Sequence, residues 1–514
     1  MRASCIPRML LPIFICAGIA CAQTSHIEAA TKFLGKGETV RAEAEARKAL
    51  QVPSTKALAL AILGTIRLQQ GKAEESVKFL RQALALNPKL IGARTTLGAA
   101  YTVSNQLELA AKAFREVLAA APDNFNARFG LVKLEALRRN FQESLDLADP
   151  ILPQLLEFDE GLVILASDYG ALGKKRELAD LVTHWQKLPA PSDEPALDFA
   201  VVLLAYDLKP EAISVLESQE SHVASHPQPD TALKFANAFL ALGRLTNAEI
   251  DAELALSQNA QCTACYLTLA QVAERQENTE KALSYLVKAK RLAPADPEVL
   301  FQFGRVCLQR NLLDDALAAL SKAAELKPDN DAYVYTLGSA DFGKGRLDEA
   351  LALFQRVLHK HPEDAFLHYA IGAVYFQQSK YSEAEASLKQ SLALRPDQIP
   401  ANYYLALTYD AIGDDDRAVP IFRDLVKSHP DHVPSRVKLG GILVRQHQYE
   451  DAQRNLEEAI ALDPNSVEAH YQLGLALRRL GKSAESEAQM AESHRLEAEQ
   501  SATRDLRLRL LLPD

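Results

Sequence analysis

The chain has 514 residues, 48% of them hydrophobic and 24% charged, with a formal net charge of -10. Its length exceeds what one hydrophobic core fills, so several domains or a repeat array are expected. Ala and Leu dominate, Trp appears once, and Gly and Pro number only 22 and 24, a balance that excludes a sheet-rich fold and predicts an all-α chain. An acidic total without a basic block argues against a nucleic-acid partner.

At the start, Arg2 and Arg8 precede the uncharged run Met9–Ala20, and the small-x-small triplet Ala20-Cys21-Ala22 follows. That pattern predicts a signal peptide over 1–22, whose apolar run Met9–Ala20 is too short to span a bilayer, which needs about 20 apolar residues. Its removal deletes two positive charges and no acid, taking the net charge from -10 to -12. The mature protein is expected to be exported, periplasmic or extracellular. An alternative makes Cys21 the acylated residue of a lipoprotein anchored to the outer membrane, although Gly18 stands where such signals want a bulky aliphatic residue. Membrane contact is expected only in that alternative.

Residues 23–56 read as an N-terminal helical and capping segment. From there a period of 34 takes over: Pro88 and Pro122 are one period apart, and Pro294, Pro328, Pro362, Pro396, Pro430 and Pro464 follow one another at the same interval. Twenty-four residues before each proline stands a small residue, Gly64, Gly98, Ala270, Gly304, Gly338, Gly372, Ala406 and Gly440; twelve before it stands a second, Ser76, Ala110, Ala282, Ala316, Ala350, Ala384, Ala418 and Ala452. Each unit therefore reads as two antiparallel helices, a turn often carrying Gly (Gly71, Gly345, Gly413, Gly481), and a proline that denies the second helix another turn. The small residues sit where the helices cross, while Leu80, Phe114, Leu286, Leu320, Phe354, Leu388, Phe422 and Leu456 fill the space alongside.

A stretch such as "VLFQFGRVCLQRNLLDDALAALSKAAELKPD", Val299 to Asp329, closely resembles the tetratricopeptide repeat family. The resemblance implies a right-handed superhelical solenoid of antiparallel helix hairpins, with two well-matched units over 57–124 and seven over 263–500. Between them, 125–262 reads as degenerate hairpins, with loops rich in Pro and Ser near 187–195 and 218–230 as candidate hinges. The tail 501–514 fits a C-terminal capping helix, which a stacked array needs because its last unit lacks a neighbour.

In such a solenoid the first helices line a concave groove. Twenty-seven residues before each proline comes a position facing it, held by Phe301, Tyr335, Tyr369, Tyr403, Val437 and, in the last unit, Tyr471. Successive aromatics suit an extended peptide, with Phe366, Phe376, Tyr404 and Tyr409 nearby; core packing is the competing reading. Lys438, Arg445, Arg478 and Arg479 on the last first helices predict a basic end to the groove, against the plainer reading of solvated or paired charges.

Cys262 and Cys265, in "QNAQCTACYLTLAQ", fall at the start of a first helix and predict a possible disulfide. Tyr266 stands where c-type haem attachment needs His, and Cys307 is too little to complete a zinc site. His359, His361 and His368 read as surface and helix-end residues rather than metal ligands. "LGKSAES" lacks the leading Gly of a phosphate loop, and no HExxH or GxSxG string occurs. No catalytic residue, metal or cofactor is expected. The reading is an exported, non-enzymatic scaffold or adaptor that holds a protein or peptide in its groove. The alternatives are a component of cell-envelope or exopolysaccharide assembly and secretion machinery, in which aromatic ladders stack on sugars, and, further off, a redox protein using Cys262 and Cys265.

Overall fold

The computed structural model describes residues 25–510, and the expected signal peptide and Cys21 lie outside them. Among the described residues there is no strand. The chain divides into two compact units, residues up to Val272 and from Ala273 onward, with the division inside the helix Thr263–Arg275.

Both units are built from helix hairpins in sequence. In the first, the segment expected as a cap is itself a hairpin, Ser25–Gly35 with Thr39–Ala49; Lys56–Gln69 with Ala73–Leu86 and Ile91–Val103 with Leu107–Ala120 follow. Four further hairpins occupy the degenerate middle, ending with Pro229–Ala241 and Leu245–Gln258. The second unit runs from Thr279–Leu292 through Pro297–Gln309, Leu313–Leu326, Asp331–Lys344, Leu347–Lys360, Ala365–Gln377, Tyr381–Leu394, Ile399–Ala411, Asp415–Ser428, Val433–Arg445, Tyr449–Leu462 and Val467–Arg479 to a long last helix, Ser483–Leu510.

The small residue on each first helix makes room for a specific neighbour. A methyl placed on Gly304 would lie 2.6 Å from Cγ of Leu320, and the same holds for Gly64 against Leu80, Gly372 against Leu388 and, at 2.5 Å, Gly440 against Leu456. Phe114 carries the contact further. Its ring lies 2.6 Å from where a methyl on Gly98 would stand and 2.5 Å from one on Gly130, so one side chain grips its own hairpin and the next. After the proline, Asp296, Asn330, Asp364 and Ser466 cap the following first helix, each accepting from backbone N–H groups of its first turn.

The turn inside each hairpin holds one residue in the left-handed region. These are Gly37, Gly71, Asn105, Arg139, Gly173, Asp207, Gly243, Glu277, Asn311, Gly345, Ser379, Gly413, His447 and Gly481, with φ between 57° and 80°. They are spaced by 34 residues throughout, apart from one step of 36 between Asp207 and Gly243. The period thus persists through the degenerate middle and is interrupted by two extra residues.

Those two residues fall in the stretch expected as an extended loop at 218–230, which instead contains a short helix, Glu220–Ser225. Val223 is the reason. It is 1% exposed and belongs to the same core as Trp185, Phe199, Phe235 and Phe239. Asn247 donates to Glu220 and His222 lies 3.0 Å from Asp193, pinning the helix at both sides. The other expected loop is shorter than 187–195 because a helix begins at Asp193, and Ser192 N–H donates to Asp159. At the far end, no Gly or Pro interrupts the chain between Ser483 and Leu510, so residues 501–510 continue the last helix rather than forming a separate cap.

Two outcomes test this packing. Ala316, fully buried at a helix crossing, replaced by Leu should destabilise the second unit by about 1–3 kcal/mol, read by chemical denaturation. Ser379, at φ 58°, replaced by Gly should stabilise it by about 0.5–1 kcal/mol in the same assay, since a Cβ is disfavoured there.

Candidate functional site

The aromatic residues expected to form a groove ladder divide into two groups. Phe301 stacks on Tyr333 at 4.5 Å and Tyr335 packs against Phe354 at 5.3 Å, so both rings are engaged inside the hairpin stack. Tyr403 makes the equivalent contact with Phe422 at 5.9 Å and also meets His432 at 5.4 Å, but it and Tyr369 share a further neighbour. They do not touch each other directly but are joined by Tyr404, whose ring lies 5.7 Å from Tyr369 and 6.1 Å from Tyr403, both edge to face, with Phe376 5.6 Å away on a further edge. The result is a continuous aromatic patch on the helices Ala365–Gln377 and Ile399–Ala411.

Of its neighbours, Phe366 is 46% exposed with the Arg395 guanidinium over its ring at 4.6 Å. Tyr409 is buried, donates to Glu385 at 3.0 Å and lies under Arg417, so it serves packing rather than the patch. Val437 is buried and Tyr471 is exposed, which ends the ladder.

The hydroxyls of Tyr369, Tyr403 and Tyr404 have no hydrogen-bond partner among the described residues. Burial pushes all three phenols up, Tyr369 and Tyr403 to about 12, so each is a neutral O–H donor across the physiological range. Three half-buried donors on one apolar surface can each bond a carbonyl oxygen while the ring faces cover apolar side chains.

The expected basic end is smaller than its four residues suggest. Lys438 is paired with Glu468 at 2.6 Å, and Arg445 with Asp410 and with Asp415 at 3.1 Å. The Arg445–Asp415 pair follows a pattern: a residue ending one first helix meets an acid in the first turn of the preceding second helix, as in Arg138–Glu108 and Lys344–Asp314. The position thirty residues before Arg479 is Tyr449, which offers no carboxylate. Arg478 and Arg479 are exposed and have no ion pair among the described residues.

Cys262 and Cys265 are joined in a disulfide with Cα atoms 5.3 Å apart, and Cys307 is buried and free. His361 pairs with Asp331 and His368 meets the Pro362 carbonyl. No group of three or more potential ligands able to hold a metal occurs among the described residues.

A second aromatic cluster lies in the first unit. Phe129 is 5.3 Å from Phe158 and 5.8 Å from Phe125, with the Lys133 ammonium 5.4 Å from its ring and paired with Glu160. Phe129 follows Pro122 by seven residues as Phe301 follows Pro294, so its phase was the signal that could have revealed it.

Two carboxyls in the first unit are strongly perturbed. Burial pushes Asp251 up to about 7, with Glu220 adding repulsion, and pushes Asp168 up to about 6 against a bond from Ser144. Perturbed acids mark many catalytic centres, yet Asp168 is 0% and Asp251 5% exposed. Oδ1 of Asp168 and Oδ2 of Asp251 have no partner, so both are strained structural groups without access for a substrate.

Comparison with known proteins follows this geometry. Family models described as tetratricopeptide repeats match residues 57–90, 96–154, 273–340, 335–399, 375–438 and 440–481, together more than half of the chain. The protein O-mannosyl-transferase TMTC1 of Homo sapiens is 32% identical over 100 residues; the match covers 19% of this chain and spans 11% of that protein's length. Among solved structures, the Cut9–Hcn1 hetero-tetramer of the APC/C is 14% identical, covering 89% of this chain and 97% of that one with a TM-score of 0.43. YrrB, described as a TPR protein with an unusual peptide-binding site, is 23% identical over 36% of this chain and 94% of its own, with a TM-score of 0.33.

The perturbed carboxyls generate a pH dependence with a definite sign. Unfolded, Asp251 ionises near 3.8, whereas folded it keeps its proton to about 7, so the first unit loses stability as pH rises through that window. Asp251→Asn should raise stability at pH 8 by about 1–3 kcal/mol and change it little near pH 4, measured by urea denaturation at both values.

Proposed function

The chain belongs to the tetratricopeptide repeat family, and from that premise we propose that it is an exported scaffold whose second unit holds an extended peptide segment of a partner protein against Tyr369, Tyr403 and Tyr404. Members of this family typically bind proteins or peptides and do no chemistry of their own. The observation that carries the reading is the set of three phenols on neighbouring rings whose hydroxyls have no hydrogen-bond partner among the described residues. An extended backbone presents carbonyl oxygens at intervals along its length, and such donors receive them while the rings shield the bonds from water.

Export is supported by the sequence pattern of residues 1–22 and by the closed Cys262–Cys265 bond, which suits an oxidising compartment. Arg478 and Arg479, without an ion pair among the described residues, extend the reading toward a segment with acidic residues beyond its apolar part. Surface ion pairs add little affinity, so their effect is on association rate and orientation.

Peptides selected by display against the full-length protein test the site. Tyr369→Phe with Tyr403→Phe keeps both rings and removes only hydroxyls that have no partner among the described residues. Thermal stability should be unchanged, while affinity measured by calorimetry should fall about fivefold to thirtyfold, the value of one or two net hydrogen bonds. Selected peptides whose affinity is indifferent to the double change would place the binding surface elsewhere.

A further inference from the structure

The disulfide has a setting that a plain crosslink does not need. Cys262 immediately precedes the helix Thr263–Arg275, and its Sγ accepts the backbone N–H of Cys265 at 3.0 Å, the place a capping side-chain oxygen would take. Its own N–H donates to Asn259 at 3.0 Å and its carbonyl accepts from Tyr266, so Cys262 is held at the helix start from both sides. The two sulfurs are unequal. Cys262 is partly exposed between the exposed Gln261 and Ala264, whereas Cys265 is completely buried in the core that includes Val272. The bond closes a loop of sequence separation three, so it removes little freedom from the unfolded chain.

We propose that Cys262 and Cys265 are a thiol–disulfide exchange site that cycles with external dithiols and disulfides, with Cys262 as the reacting sulfur and Cys265 as the resolving one. In the reducing direction a thiolate of an external dithiol attacks Sγ of Cys262. A mixed disulfide forms, the Cys262–Cys265 bond breaks, and its electron pair leaves on Cys265, which takes up a proton. The reductant's second thiol then attacks its own sulfur in the mixed disulfide, releasing Cys262 as a thiolate and departing as a cyclic disulfide. Two electrons have passed to the protein. In the oxidising direction Cys262 attacks a disulfide of another molecule and Cys265 closes the bond again.

The geometry favours this course at both sulfurs. A thiolate on Cys262 inherits the Cys265 N–H and the positive end of a 13-residue helix, the setting that stabilises reactive thiolates. Cys265 cannot be reached directly, so attack is confined to one sulfur. Cys307 is buried, and burial with Asp315 nearby pushes its thiol up to about 12, so it is a silent internal reference for alkylation.

The full-length protein, first oxidised with glutathione disulfide, is titrated at pH 7 without denaturant in buffers of reduced and oxidised dithiothreitol, and free thiols are trapped with iodoacetamide and located by mass spectrometry. The pair should open and reclose fully with helicity unchanged, and Cys262 should alkylate at least about tenfold faster than Cys265. With glutathione disulfide, Cys265→Ser should accumulate a mixed disulfide at Cys262, and Cys262→Ser should accumulate none at Cys265. A bond that yields to the dithiol only after unfolding, cysteines that stay unpaired in glutathione disulfide, or equal labelling of both sulfurs would overturn the proposal. Should either variant fail to fold, the titration of the native chain decides alone.

Discussion

One contact recurs along the chain and the rest depends on it: a residue without a side chain, or with only a methyl, on a first helix, covered by a large apolar side chain sixteen residues later. Gly304 under Leu320 and Gly338 under Phe354 are examples. The contact lets two helix backbones approach closely, and close approach aligns the ends of neighbouring helices. Alignment then brings an acid at the start of one second helix against a base at the end of the following first helix, as in Glu108 with Arg138. Opposite charges at those two positions also complement the helix dipoles. Steric fit inside a hairpin thus dictates the electrostatics between hairpins.

Much of this was legible in the sequence, for physical reasons. Proline just after a second helix denies it another turn, so a proline every 34 residues marks those helix ends directly. Two residues beyond it, Asp296, Asn330 and Ser466 are of the types that favour a helix start and cap it in the structure. The turn inside the hairpin was only half visible. Gly345 and Gly413 announce a left-handed residue, but Arg139, Glu277 and Ser379 adopt the same conformation without any propensity for it, because the packed helices on either side leave the chain no other path. The period of the middle, kept apart from the step of 36 between Asp207 and Gly243, was harder to read because the phased prolines stop between Pro122 and Pro294.

The site was less legible than the fold. Position on a first helix tells which way a side chain points, and so Tyr369 and Tyr403 could be singled out as candidates. It does not tell what else reaches the same space, and so Tyr404, which joins them, appeared only as a neighbour. For Arg445 the sequence left a basic groove end and a paired charge both open, because its partner Asp415 belongs to the preceding hairpin and charge pairing across hairpins depends on the stacking geometry. Burial separates the perturbed carboxyls from the phenols in the same way. Asp168 and Asp251 are shifted chiefly by burial, each with one carboxyl oxygen left without a partner, whereas the shifted phenols belong to side chains that are only half-buried.

The two-residue interruption between Asp207 and Gly243 bears on how such a chain assembles. Modules of one length and one pattern are nearly interchangeable, and a hairpin that docks against the wrong copy satisfies most of its contacts, which is how repetitive chains become trapped. The module carrying Glu220–Ser225 is unlike its neighbours: Val223 is buried in one core with Trp185, which also donates to Ser218. An irregular member therefore works as a key in a row of like parts, counting the copies on either side and penalising any arrangement shifted by one.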